Sequence, residues 1–151
     1  MSLQEQLAEE LRVAMRSGDA LRRDVIRGLR SSLHNAEIAK GTPLTDDEER
    51  GVLAREARQR RESITEFEKG HRDDLVAKER GELTIIESYL PPPASREELR
   101  DAAMQVIVEV GAKGPGDRGK VIPRLIAQFR GRAEGAEVAS VVGELLSGGS
   151  S

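Results

Sequence analysis

At 151 residues, with 24 Lys and Arg against 27 Asp and Glu, the chain carries a net charge of -3 and is long enough for one domain or two small ones. It has no cysteine and two histidines, which excludes disulfides, thiolate metal sites and cysteine nucleophiles and leaves little for zinc. Three aromatic side chains, Phe67, Tyr89 and Phe129, leave the core to Leu, Ile, Val and Ala, a composition that favours an all-α chain over a sheet.

Helix signals begin at once. Ser2 and Glu5 have the S-x-x-E spacing of a capping box, and Leu3, Leu7, Leu11 and Ala14 or Met15 follow at helical spacing to a stop at Gly18. Asp19 can cap a second helix, whose stripe Leu21, Val25, Leu29, Leu33 and Ala36 ends at Gly41. Thr45 and Glu48 box a third, carrying Val52 or Leu53, Ala57, Ile64 and Phe67 to a stop at Gly70. Asp73 or Asp74 opens a fourth, with Leu75, Glu79, Leu83 and Ile86 or Leu90 along it. The N-terminal stretch is too polar for a signal peptide, and no apolar run nears the roughly 20 residues of a membrane helix, so the expected compartment is the cytoplasm.

Pro91, Pro92 and Pro93 end the fourth helix and favour an extended spacer. The expected organisation is therefore two helical subdomains, a four-helix unit over 1–93 and a three-helix unit over 94–147, followed by a disordered tail over 148–151. Residues 1–90 are expected to fold alone, with a protease-sensitive junction near Ala94. In the second unit Ser95 and Glu98 form another capping box ahead of a helix over about 96–110, with Leu99, Ala103, Val106 and Val110 at helical spacing. Two more helices follow, over about 117–130 and 135–146, the last containing Val138, Val141, Val142 and Leu145. Pro123 falls inside the middle one and predicts a late start or a kink.

The segment from Gly111 to Gly135 holds six of the fifteen glycines and six cations against two acids, Asp117 and Glu134, a local charge of +4. Glycines admit close backbone approach and amides at a helix start point at anions, so a cationic, glycine-punctuated loop-to-helix segment has the shape of a phosphate-binding element. Lys113, Arg118, Gly119, Lys120, Arg124, Arg130, Gly131 and Arg132 are the candidate RNA-binding residues. As exposed cations, Lys120 and Arg132 should contribute little to stability. The alternative is a solvated helix face. Two nucleotide motifs are mimicked here. Gly114, Gly116 and Gly119 match G-x-G-x-x-G, and Gly114 to Lys120 matches most of a P-loop, but Val121 replaces the Mg²⁺-ligating hydroxyl and no strands surround the motif.

Other charged groups carry less. Arg55, Arg58, Arg60 and Arg61 precede Glu62 and Glu66, which predicts pairing within the helix. Arg22, Arg23, Arg27 and Arg30 lack acids of that kind within their run except Asp24 and can extend a nucleic-acid surface. Glu68 and His71 have E-x-x-H spacing, but Gly70 interrupts the helix and there is no second copy. Ser31, Ser32 and His34 lie too close together to assemble a nucleophile, base and orienting acid. No catalytic residue, metal ligand or cofactor is therefore expected. The inventory favours structured RNA bound through phosphates over base reading.

The stretches Val25 to Ile38, Arg58 to Glu79, Glu87-Ser88-Tyr89-Leu90-Pro91 and Gly114 to Gly135 together resemble the YqeY family, which is similar to the C-terminal tail of GatB, the B subunit of the glutamine-dependent tRNA amidotransferase. The resemblance covers the chain to Leu146. It implies an all-α protein whose larger subdomain precedes a three-helix one, and a tRNA-binding role linked to carbon-nitrogen ligation with glutamine as amido donor. The chemistry of that enzyme lies in parts this chain does not match. Pro123, Ala127 and Glu134 depart from the family pattern, which favours a small residue, Pro and a capping Asp at those places. The rival expectations are a protein-interaction adaptor docking through the three-helix unit and an amidotransferase accessory enzyme.

Overall fold

In a computed structural model residues 1–147 are described; the tail expected over 148–151 lies outside them. Among the described residues there are seven α-helices and one 3₁₀ turn and no strand, an all-α fold. No helix among them is long and apolar enough to cross a membrane. The chain divides into two compact units, Met1–Pro91 and Pro92–Ser151.

The first unit contains α1 (Leu3–Ser17), α2 (Ala20–Lys40), α3 (Asp46–Lys69) and α4 (Asp73–Glu87). Its core is Leu7, Val25, Ile26, Leu29, Leu33, Val52, Leu53, Ala57, Ile85 and Ile86. Each fully buried Leu or Ile there contributes on the order of 2 kcal/mol of transfer free energy. Gly18 and Gly41 end α1 and α2 in the left-handed region, at φ 74° and 84°. The two-residue connection Gly18-Asp19 folds α1 back along α2, and the Asp19 carboxylate accepts the Arg22 amide at 3.1 Å. Only at α3 are both halves of a predicted capping box made, between Thr45 and Glu48. The Ser2 hydroxyl accepts the Glu5 amide at 3.1 Å.

Gly70 stops α3 as expected, though not in the left-handed region: its φ is -87°, and His71, one residue later, takes φ 55°. The Arg72 amide then closes back onto the Phe67 carbonyl at 2.9 Å, so the helix ends in a wide reverse turn whose left-handed position is not a glycine. The α4 stripe is rotated: Val76, Ile85 and Ile86 are buried, while Leu75, Glu79 and Leu83 are half-buried. That helix is set by its partners α3 and α2, and at Gly81 the α2 side chain Leu21 lies 2.9 Å from where a Cβ would stand. Arg60 and Arg61 reach α4 instead of pairing only within α3: Arg60 lies 3.2 Å from Glu82 and 3.7 Å from Glu79 as well as 3.4 Å from Glu56, and Arg61 lies 3.5 Å from Glu87.

The second unit contains α5 (Arg96–Val110), the 3₁₀ turn Pro115–Asp117, α6 (Arg118–Gln128) and α7 (Gly135–Leu146). The three helices pack around Leu99, Ala103, Val106, Val121, Leu125, Phe129, Val138, Val141, Val142 and Leu146. The run Val106 to Val110 is helical and not a strand, which removes the context both nucleotide motifs need. Pro123 brings no late start: α6 begins at Arg118, directly after the 3₁₀ turn. Ala94 is no loose junction either. It is buried in this core, and its amide donates to the Arg132 carbonyl at 2.8 Å, whereas Pro92 and Pro93 before it are exposed.

Candidate nucleic-acid interface

The glycine-rich segment begins where α5 ends, at Gly111 in the left-handed region with φ 68°. The chain then crosses from α5 to α6 through Lys113-Gly114-Pro115-Gly116. Asp117 folds this crossing: its carboxylate accepts the Lys113 amide at 2.9 Å and lies 3.4 Å from Lys120 Nζ. The bond from the Lys113 amide, followed by the Lys120 charge, holds the Asp117 carboxyl below its ordinary range. The loop thus binds an anion through a backbone amide and a lysine, and the anion is its own side chain. Sequence reasoning placed Asp117 only at the helix start; the clue to this role was its position four residues after Lys113, within reach of an open amide.

The other candidates divide by position. Lys113, Arg118, Gly119 and Lys120 lie at the N-terminal end of α6, and Arg130, Gly131 and Arg132 follow its C-terminal end. The eleven-residue helix, about 16 Å long, places the two groups at its opposite ends. That is too far for one phosphate, and the candidate set resolves into two clusters along a helix. Arg124 lies between them, 3.8 Å from Glu109 of α5. Gly119 is exposed with open space around it, whereas Gly131 serves the backbone: at φ 83° it turns the chain so that the Arg132 amide donates to the Phe129 carbonyl at 2.8 Å.

Arg132 is a structural residue, contrary to the expectation of a nearly free cation. Its guanidinium grips Glu98 with two bonds of 2.7 and 2.9 Å, donates to the Pro92 carbonyl at 3.1 Å, and stands 5.7 Å from the Phe129 ring centroid. The Arg132 bond also holds the Glu98 carboxyl below the usual range. Glu98 is thereby turned toward Arg132, and at the start of α5 the structure has the Ser95 hydroxyl accepting the Glu98 amide. Arg118 donates to the Pro115 carbonyl at 3.2 Å. Among the described residues no carboxylate lies within ion-pair distance of Lys113, Arg118 or Arg130, and all three are exposed. At the start of α7, Glu134 occupies the N-cap without a side-chain cap bond, in line with its departure from a short capping acid.

Comparison with known sequences gives one family and several relatives. The sequence model of the family described as "Yqey-like protein" matches residues 4–146. The chain is similar to "Altered inheritance of mitochondria protein 41, mitochondrial" of Kluyveromyces lactis, 38% identical over 112 residues that span 72% of this chain and 60% of that one. The protein of the same name from Lachancea thermotolerans is 37% identical over 112 residues. That of Saccharomyces cerevisiae is 32% identical over 125 residues, 82% of this chain and 68% of the yeast one. The chain spans about 60% of the length of the first of these relatives.

Proposed function

The chain belongs to the Yqey-like protein family, and from that premise we propose that it is a tRNA-binding helical module related to the tail of the amidotransferase B subunit, without catalysis of its own. The observation that carries this reading is the set Lys113, Arg118 and Arg130, exposed cations with no carboxylate partner among the described residues, on a chain whose net charge is -3. Lys120 joins them when an incoming phosphate displaces the Asp117 carboxylate, which holds the position a phosphate would take. Cations at both ends of α6, a helix about 16 Å long, suit a backbone carrying several phosphates. Arg124 and Arg132 stand in second place, since each already faces an acid. The proposed compartment is one where tRNA is charged, the cytoplasm or, in the manner of the relatives whose printed name carries that label, the mitochondrion.

A titration of the purified protein against total tRNA at two salt concentrations tests the proposal. Affinity should fall steeply with salt. The double change Lys113→Gln, Arg130→Gln should flatten the log-log slope by about 1.5, because each neutralised phosphate contributes roughly 0.7 to 0.9. Unchanged affinity and slope in a folded double variant would remove the site from this unit. One observation favours a second reading, a protein-docking adaptor: on α5, Met104 is 53% and Val108 80% exposed, one helical turn apart. Docking through them should be insensitive to salt.

A further inference from the structure

A second group of unmatched cations lies on the first unit, in a groove between α1 and α2. It has a volume of about 490 Å³ and is lined by Gln4 and Leu11 of α1 and by Arg27, Arg30, Ser31 and His34 of α2. The α2 residues are spaced i, i+3, i+4 and i+7 and share one face. Arginine on this chain is generally answered by an acid: Arg12 by Glu9 at 2.7 Å, Arg22 by Asp19 at 3.6 Å, Arg23 by Asp24 at 2.9 Å. Arg27 instead makes no ion pair among the described residues: its guanidinium donates to the Met15 sulfur at 3.9 Å and reaches Asp24 only as a more distant charge, while Arg30 has no side-chain partner among them. The nearby acids are engaged elsewhere, Asp24 by Arg23 and Glu9 by Arg12 and Arg16. At the far end the Gln4 amide donates to Glu37 at 3.0 Å, so that end is not cationic.

The groove is therefore polarised. Two guanidiniums without an ion pair among the described residues mark one end, a serine hydroxyl and an imidazole follow, Leu11 supplies an apolar wall, and an amide backed by a carboxylate closes the other end. Arg27 to His34 spans about 10 Å along the helix, the length of a nucleotide, and the volume suits a small ligand. We propose that this groove binds a nucleoside monophosphate unit, free or at the 5′ end of an RNA, with its phosphate between Arg27 and Arg30 and its uncharged part running along Leu11 and His34 toward Gln4. Forked guanidiniums are suited to phosphate oxygens, and a planar imidazole offers a surface for a base. The site is built from residues of the first unit alone, and it stands or falls independently of the tRNA reading.

Calorimetric titration of the full chain with AMP, with adenosine, and with a short single-stranded RNA bearing a 5′-phosphate or a 5′-hydroxyl tests the inference. Binding of AMP over adenosine assigns the free nucleotide; binding of the 5′-phosphorylated over the 5′-hydroxyl RNA assigns the RNA end. In either case Arg27→Gln, Arg30→Gln should weaken binding at least about tenfold, since hydrogen bonds to charged groups are each worth that much. Ser31→Glu, an exposed helical position, should do the same by placing a carboxylate beside the arginines, one turn from Arg27 and next to Arg30. Lys113→Gln, Arg130→Gln should leave this binding unchanged while weakening tRNA binding. The inference is overturned if a terminal phosphate adds no affinity in either pair, or if the folded Arg27, Arg30 double variant binds as the parent does.

Discussion

Tyr89 is the only tyrosine and the chain has no tryptophan, so absorbance near 295 nm reports the ionisation of one side chain. Its hydroxyl donates to the Glu10 carboxylate at 2.9 Å, joining the end of α4 to α1 across 79 residues of sequence. Burial, then the bond to Glu10 and its negative charge, push the phenol up to about 12 from 10. A folded value above the unfolded one means that the stabilisation is fully present below pH 10 and is lost as pH rises from 10 to 12. At 1.36 kcal/mol per unit the limit is about 2.7 kcal/mol, and partial solvent screening of a half-buried group brings the expectation to about 1 to 2 kcal/mol. Urea unfolding at pH 8, 10 and 11.5 should show that loss in the parent relative to Tyr89→Phe, which lacks the alkaline step and costs about 1 kcal/mol at pH 8 through the lost hydrogen bond. Glu10→Gln should bring the phenol back toward 10. A folded protein whose absorbance titrates near pH 10 would refute the Tyr89–Glu10 link.

Three substitutions test the packing. Leu125, 1% exposed in the second core, should cost 2 to 5 kcal/mol as Leu125→Ala, read from the urea midpoint of that unit. The Tyr89 titration should not move if each unit keeps its own core. Gly28 lies inside α2 with nothing within 4 Å of a Cβ, so Gly28→Ala should stabilise by about 1 kcal/mol. Gly81→Ala, whose Cβ would meet Leu21 at 2.9 Å, should gain clearly less in the same denaturation assay.

The all-α class and the positions of the helices were legible in the sequence because their causes are local. A cap acts on amides two or three residues away, a left-handed glycine ends its own helix, and a proline removes its own donor, so Asp19, Thr45, Gly18, Gly41 and Gly111 marked the ends they form. The basic, glycine-rich segment was equally visible as composition. What the chain does with those charges was not legible, because an ion pair depends on which helices meet. Glu98 is 34 residues from Arg132, and Glu82 is 22 from Arg60, so neither pairing has a sequence period to reveal it. For the same reason the buried face of α4 was misjudged: with Leu75, Val76, Leu83, Ile85 and Ile86 spread around the helix, only contact with α2 and α3 decides which face is covered. The sequence alone therefore determined the helices and where positive charge is concentrated. Tertiary packing decided which cations are neutralised, Arg132 among them, and which, at Lys113, Arg130, Arg27 and Arg30, remain available to an anion.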